Sequence, residues 1–227
     1  MTIGKPRFNA VCFDFDSTLS RLEGIDELAA RAGVESRIAP LTAAAMDGII
    51  PLDSVYAARL DIVRPGRDAI SWLGERYVSE LVPGADATID ALQRANVAVY
   101  IVSGGIRGAI LPSAEKCSIP PEHVYAVEIA FDANGGYKDF DRASPLTKAD
   151  GKAIVCRALS QRHGALALVG DGITDLTARN GGAYVVGFGG VVERDAMRGG
   201  ADHYVAGPRL TDVLEVLLER GGVASDE

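Results

Sequence analysis

Short apolar runs bounded by turn residues recur along the chain at 10–15, 97–102, 124–128, 165–169 and 183–186. Each is too short for a helix and apolar at successive positions, which predicts strands covered on both faces rather than on one. Between most of them the spacing becomes helical, at 83–95, 107–116, 151–163, 174–180 and 210–220. Alternation of this kind predicts an α/β fold, a parallel sheet wrapped by helices. The segment Asn134-Gly135-Gly136, between apolar runs at 129–131 and 137–140, predicts a local antiparallel hairpin.

One span breaks the alternation. From residue 20 to 82 helical patterns follow one another at 25–32, 36–48, 52–63 and 67–81, punctuated by Gly33, Pro51 and Pro65-Gly66, with no strand run between them. This predicts a helical cap (residues 20–82) inserted into a catalytic core built from 1–19 and 83–227. The insertion begins just past the end of the first strand, so it is expected to hang over that end as a lid. A packing lobe without a catalytic part is the other reading.

With 227 residues, 48% of them hydrophobic, the chain can build one sizeable core and a subsidiary lobe. No stretch approaches the roughly 20 apolar residues that span a bilayer, and the start Met1-Thr2-Ile3-Gly4-Lys5-Pro6-Arg7 lacks the apolar centre of a signal peptide. A cytoplasmic protein is expected. Cys12, Cys117 and Cys156 are odd in number and sit among apolar neighbours, which points to buried thiols. His123, His163 and His203 show no ligand spacing. The formal charge of −8 argues against nucleic acid and membrane partners, because both demand a basic surface. A small anionic substrate would need a site locally positive against that field.

The first strand run ends in Val11-Cys12-Phe13-Asp14-Phe15-Asp16-Ser17-Thr18. A period of two turns Asp14 and Asp16 the same way past the strand end, where like charges repel unless a cation sits between them. The run also suits an Asx turn entering a helix. Three further places carry chemistry of the same kind. The run 97–102 leads into Ser103-Gly104-Gly105, a hydroxyl followed by unobstructed backbone N–H groups entering a helix, which suits phosphate oxygens. The run 165–169 leads into Gly170-Asp171-Gly172-Ile173-Thr174-Asp175, more carboxylates at a strand end. Lys152 sits near the start of a predicted helix, where a cation opposes the helix dipole unless a site needs its charge.

In this order, Asp-x-Asp-x-Thr, Ser-Gly-Gly, Lys and Gly-Asp-Gly-x-x-Asp resemble the motifs of the haloacid dehalogenase superfamily of phosphatases. Within that superfamily the stretches Glu23-Gly24-Ile25-Asp26-Glu27-Leu28-Ala29, Leu81-Val82-Pro83-Gly84 and Gly187-Phe188-Gly189-Gly190 look like those of the phosphoserine phosphatases, which belong to serine biosynthesis. The resemblance implies a Rossmann-like, doubly wound sheet of order 3-2-1-4-5 and one Mg²⁺ held by Asp14, the backbone carbonyl of Asp16 and Asp171, with Asp175 orienting them from behind. It implies that Asp14 attacks phosphorus and that Asp16 serves as acid, then base. Lys152, Ser103, Gly104, Gly105 and Thr174 would surround the phosphoryl oxygens, with Lys148 the alternative to Lys152. Glu23 would face a substrate ammonium, Arg59 a carboxylate, Met46 would form an apolar wall and Arg194 would lie near the substrate. Asp47 and Leu52 depart from the residues common there, which touches substrate fit rather than chemistry. Another small phosphomonoester, such as phosphohomoserine or phosphothreonine, remains open as substrate, a phospho-receiver module remains as a rival, and monomer and homodimer are both allowed.

Overall fold

The computed structural model describes residues 5–46, 49–50 and 52–219, with the side chains of Met46, Leu52 and Asp53 outside the description. The chain opens with β1 (Ala10–Phe13), followed by four helices, α1 (Gly24–Ala32), α2 (Glu35–Met46), α3 (Leu52–Val63) and α4 (Arg67–Ser79). Then come α5 (Ala85–Arg94), β2 (Ala98–Ile106), α6 (Arg107–Lys116), β3 (Val124–Val127) and the hairpin β4 (Ile129–Phe131) and β5 (Tyr137–Phe140). The last part holds α7 (Gly151–His163), β6 (Leu166–Gly170), α8 (Ile173–Leu176), β7 (Ala183–Phe188), α9 (Asp195–Gly200), β8 (His203–Val205) and α10 (Leu214–Leu217).

The main sheet has six strands in the order β3-β2-β1-β6-β7-β8, every neighbouring pair parallel. The five strands expected from sequence stand in the expected order, and the hairpin pairs Ile129 with Phe140 as its turn requires. All four β1 residues have no solvent exposure, the outcome of a run that is apolar at successive positions and flanked on both sides. Because β2 and β3 lie to one side of β1 and β6, β7 and β8 to the other, the chain reverses direction across the sheet at β1. A crevice opens beyond the carboxyl ends of the strands at that point.

Several elements differ from expectation, each for a local reason. The strand β8 went unread because its three residues are half-exposed and make an edge with little apolar signature. The helix expected over 174–180 stops at Leu176 and continues as a 3₁₀ turn, Thr177–Gly181, where the Thr177 hydroxyl donates to the Thr174 carbonyl at 2.7 Å. Gly182 ends it at φ +86°, a backbone position that favours glycine. The helix expected over 210–220 is a 3₁₀ turn followed by the single turn of α10, because Leu218 forms an antiparallel bridge to Pro6. Residues 47 and 48, in the expected helix 36–48, lie outside the described residues.

The helical span enters and leaves the core at one place. The Val82 N–H donates to the Leu19 carbonyl at 2.9 Å and the Arg21 N–H to the Glu80 carbonyl at 2.8 Å. Its last helix also packs on the core, with Gly74 of α4 against Pro112 and Ala109 of α6. The hairpin holds the α3–α4 connection: the Arg67 N–H donates to the Gly135 carbonyl at 2.8 Å and the Arg64 guanidinium to the Tyr137 carbonyl at 3.2 Å.

The 3₁₀ turn after α8 lies flat on α7, because a Cβ at Gly181 would stand 2.3 Å from the Ala153 carbonyl oxygen. Replacing Gly181 by alanine should therefore force backbone apart and destabilise the fold by about 1–3 kcal/mol. Urea unfolding reads this as a lower midpoint at unchanged slope; an unmoved midpoint would show that the turn shifts aside freely.

Candidate active site

The crevice at the end of β1 is where the sequence motifs meet. The Asp14 N–H still donates to the Val169 carbonyl at 2.9 Å, so sheet pairing carries the residue to the rim, and the Phe15 N–H donates to Asp14 Oδ1 at 2.7 Å. The second oxygen, Oδ2, lies 2.6 Å from Lys152 Nζ. Lys152 is the second residue of α7, and it bridges on to Asp175 Oδ1 at 2.5 Å. Burial alone would lower the lysine's pKa, but the carboxylates of Asp14 and Asp175 outweigh it and hold the ammonium well above its usual value. Lys148 is exposed, and it too lines the cavity at this crevice. The place of Lys152 against the dipole of α7 is balanced by two carboxylates.

Asp175 is held from the other side by the Gly172 N–H, which donates to Oδ2 at 2.9 Å. Gly170 makes room for it, since a Cβ there would stand 2.2 Å from the Asp175 carboxyl carbon. Asp171 has no solvent exposure; Thr18 Oγ1 donates to its Oδ1 at 3.2 Å and Arg194 Nε to its Oδ2 at 3.1 Å. Ser103 is buried beside them and accepts the Gly105 N–H on its hydroxyl at 3.0 Å. The strand β2 runs on through Ser103, Gly104 and Gly105 to Ile106, so these glycines sit in extended chain and the helix starts only at Arg107. Gly105 still serves close approach, because a Cβ there would crowd Asp16 Oδ2 and Ser103 Oγ at 3.2 Å each.

Asp16 faces the helical span rather than the lysine. Its Oδ1 accepts from the Gly24 N–H at 3.1 Å and from the Tyr77 hydroxyl at 2.5 Å. Burial pushes the Asp16 pKa up to about 7, with the Tyr77 donor opposing and the Asp14 charge adding to it. Glu23 accepts from the Ser17 hydroxyl at 2.7 Å and lies 3.9 Å from the Arg194 guanidinium. Burial, then the Asp16 charge, raises it to about 8. The buried Arg59 lines the same cavity. Its Nη1 donates to Thr42 Oγ1 at 3.4 Å, and Thr42 in turn donates to Asp26 at 2.9 Å. Among the described residues no acceptor meets its buried Nε.

One cavity of about 80 Å³ connects these groups, lined by Asp14, Asp16, Ser103, Lys152, Glu23 and Arg59, with Gly104, Gly105 and Thr174 in the same wall. Arg194 reaches the site through Asp171 and Glu23 rather than through the cavity wall. The Met46 side chain, expected in the apolar wall, lies outside the described residues.

Carboxylate oxygens of Asp14, Asp171 and Asp175 lie within 4.8 Å of one another, all three residues buried. Burial and the charge of Asp14 raise Asp171 to about 7. Such an oxygen-rich, mutually repelling set fits a hard divalent cation. Both Asp175 oxygens are already engaged, by Lys152 and by the Gly172 N–H, which suits orientation more than ligation.

Sequence reasoning missed Tyr77, Thr42 and Tyr56, whose hydroxyl donates to the Gly104 carbonyl at 2.9 Å. Aromatic residues at helical apolar spacing read as core, and only the fold shows that these present their hydroxyls to the site. Thr18 and Asp26 stood inside recognised stretches without an assigned part.

The chain matches the sequence model for haloacid dehalogenase-like hydrolases over residues 11–178. Phosphoserine phosphatase of Mus musculus is 37% identical over 213 residues, covering 93% of this chain and 92% of the mouse protein. The chloroplastic phosphoserine phosphatase of Arabidopsis thaliana is 36% identical over 197 residues, covering 85% and 67%. Among solved structures, a substrate-bound phosphoserine phosphatase superposes with a TM-score of 0.80 at 23% identity, over 94% of this chain and 100% of that one. A phosphoserine phosphohydrolase-like protein from Francisella tularensis gives 0.83 at 22% identity, over 92% and 100%. Motif order, sheet order and sequence likeness agree that the chain belongs to the haloacid dehalogenase-like hydrolases.

Proposed function

We propose that this protein is a phosphoserine phosphatase, hydrolysing O-phospho-L-serine to serine and phosphate through an aspartyl-phosphate on Asp14. The observation that carries the reading is one cavity lined by two chemically distinct sets of groups. Asp14, Ser103 and Lys152 form one, suited to a phosphoryl group; Glu23 and Arg59 form the other, suited to an ammonium and a carboxylate. At about 80 Å³ the space is well below the ~300 Å³ at which drug-sized pockets begin, which favours a small ester.

Asp14 is the nucleophile in this reading because its carboxylate is fixed at the strand end and faces the cavity. A carboxylate brought within about 4 Å of a phosphate meets roughly 4 kcal/mol of repulsion per pair of unit charges at an effective dielectric near 20. The Lys152 ammonium offsets part of it, and the Ser103 hydroxyl, which already accepts the Gly105 N–H, keeps its own hydrogen to donate to a phosphoryl oxygen. Asp14, the Asp16 carbonyl and Asp171 would hold Mg²⁺, which when bound supplies further positive charge against the transferring group. Thr174 lies close enough to the cavity to add a hydroxyl.

The serine alkoxide is a poor leaving group, so Asp16 gives its oxygen a proton as the P–O bond breaks. The resulting carboxylate then takes a proton from the water that hydrolyses the acyl-phosphate, which returns Asp14 and releases phosphate. Glu23 and Arg59 orient the amino-acid end, and residues 20–82 serve as the lid that carries them. Arg194 holds Asp171 and Glu23 in register.

Steady-state hydrolysis of O-phospho-L-serine in Mg²⁺, beside a panel of small phosphate esters, tests the reading. Turnover should be fastest on phosphoserine, and brief reaction with labelled substrate should leave label on Asp14; label on Ser103 would replace the mechanism. Arg59→Ala should weaken phosphoserine handling about 10–100-fold, the worth of a charge-assisted contact, and spare an ester without a carboxylate. Equal losses on both would make the arginine structural.

Mg²⁺ without substrate should raise thermal stability, because it relieves the repulsion among Asp14, Asp171 and Asp175. At about 100 times its Kd the gain is about 2.7 kcal/mol, or roughly 5–10 °C for a chain of this size. Asp171→Asn should abolish most of that rise; a full rise in the variant would take Asp171 out of the ligand set.

A further inference from the structure

Among the described residues two donors reach Asp16, and both come from the helical span rather than from the core. The Tyr77 hydroxyl, on α4, and the Gly24 N–H, at the start of α1, converge on the same oxygen, Oδ1, at 2.5 and 3.1 Å. The other oxygen, Oδ2, lies against Gly105, 3.2 Å from where a Cβ would stand, inside the phosphate wall of the cavity. Tyr77 itself has no solvent exposure, and its ring meets Phe15 edge-on at a centroid distance of 4.7 Å. The phenol fits only because residue 24 is glycine: a Cβ there would stand 1.9 Å from the Tyr77 oxygen. A buried hydroxyl placed with this economy of space on one oxygen of one carboxyl calls for a chemical reason.

We infer that Tyr77 is a positioning residue for proton transfer, which assigns the transferable proton of Asp16 to Oδ2 and aims it at the leaving oxygen. An oxygen that already accepts two hydrogen bonds has no free lone pair for a proton, so the proton occupies the other oxygen. When the P–O bond of the ester breaks, its electron pair stays on the serine oxygen, which takes the proton from Oδ2. Asp16 is left as a carboxylate whose new charge spreads onto Oδ1. There the Tyr77 hydroxyl and the Gly24 N–H are already in place, so the bond strengthens as charge develops and needs no reorganisation. Because both donors sit on the helical span, Asp16 is correctly set only while that span is seated on the core.

The inference rests on Asp16 acting as the acid, and the test separates the two claims. kcat/KM covers the steps through departure of the leaving group, so the later hydrolysis of the acyl-phosphate does not enter it. Phosphoserine needs a proton at that stage; 4-nitrophenyl phosphate, whose phenolate leaves readily, does not. Tyr77→Phe keeps the ring and its contact with Phe15 but removes the donor. It should lower kcat/KM on phosphoserine about tenfold or more, the worth of a hydrogen bond to a charged group, and leave 4-nitrophenyl phosphate within about twofold. Both substrates are assayed on one preparation, so the ratio is independent of how much of the variant is folded. Equal losses on the two substrates would make Tyr77 a packing residue, and no loss on either would make its hydroxyl irrelevant; either outcome overturns the inference. Asp16→Asn in the same assay tests the premise: a selective loss keeps the acid role whatever Tyr77 does, and an unselective one removes it.

Discussion

A single buried ammonium organises this site. Lys152 is almost wholly excluded from solvent and lies 2.6 Å from Asp14 and 2.5 Å from Asp175. Taking one cation and two carboxylates out of water is unfavourable unless each is met by partners of good geometry. The fold supplies them: Gly172 gives an N–H to Asp175, Phe15 gives one to Asp14, and Gly170 leaves the space in which Asp175 sits. The start of α7 is pinned as tightly, because a Cβ at Gly151 would stand 2.1 Å from the Pro145 carbonyl oxygen. Strand β1, helix α7 and the turn after β6 therefore cannot move independently without stranding a charge. The rigidity of the phosphate end of the site follows from that electrostatic constraint.

The other set of groups lining the cavity is built differently. Glu23 and Arg59 belong to the helical span; Glu23 is met by the Ser17 hydroxyl and, at 3.9 Å, by Arg194, and Arg59 by the Thr42 hydroxyl, itself bonded to Asp26. The Arg59 Nε lacks an acceptor among the described residues, and burial holds the guanidinium's pKa below its usual value. A buried donor left without an acceptor is costly, and under the proposed function a substrate carboxylate would meet it. One set of groups is thus complete in itself, and the other would be completed by what binds. Asp16 is the residue at which the two meet: it is rooted in the strand end with Asp14, yet both donors to its Oδ1 come from the helical side.

How much of this was legible in sequence depends on the range over which each feature is encoded. The strands β1, β2, β3, β6 and β7 were readable because burial on both faces leaves an uninterrupted apolar run, and α6 and α7 were readable to the residue. The half-exposed edge strand β8 carries no such run. Asp14, Asp171, Ser103 and Lys152 stand in local motifs, and the fold gathers them at the end of β1. Arg194 was a weak candidate because nothing around it marks a site; only the packing of the segment after β7 sets it against Asp171. Tyr77 was unreadable for a related reason. Its apolar ring satisfies the helical pattern of α4 and its hydroxyl acts across 61 positions of sequence, so no local signal distinguishes it from an ordinary core tyrosine.

The net charge of −8 bears on the same economy of charge. A long-range negative field disfavours a phosphate ester approaching the protein, and the carboxylates at the strand ends add to it at short range. Lys152 lies deep in the cavity, already engaged by Asp14 and Asp175, so little of its charge is offered outward. Arg59 keeps a donor for a ligand, but from the helical span. The buried carboxylate cluster is therefore better suited to a divalent cation than to an anion. Under the proposed function this accounts for an acidic chain burying carboxylates where an anion would bind: a divalent cation at Asp14 and Asp171 would reverse the local sign, and the Ser103 hydroxyl would then need only direct the phosphoryl group.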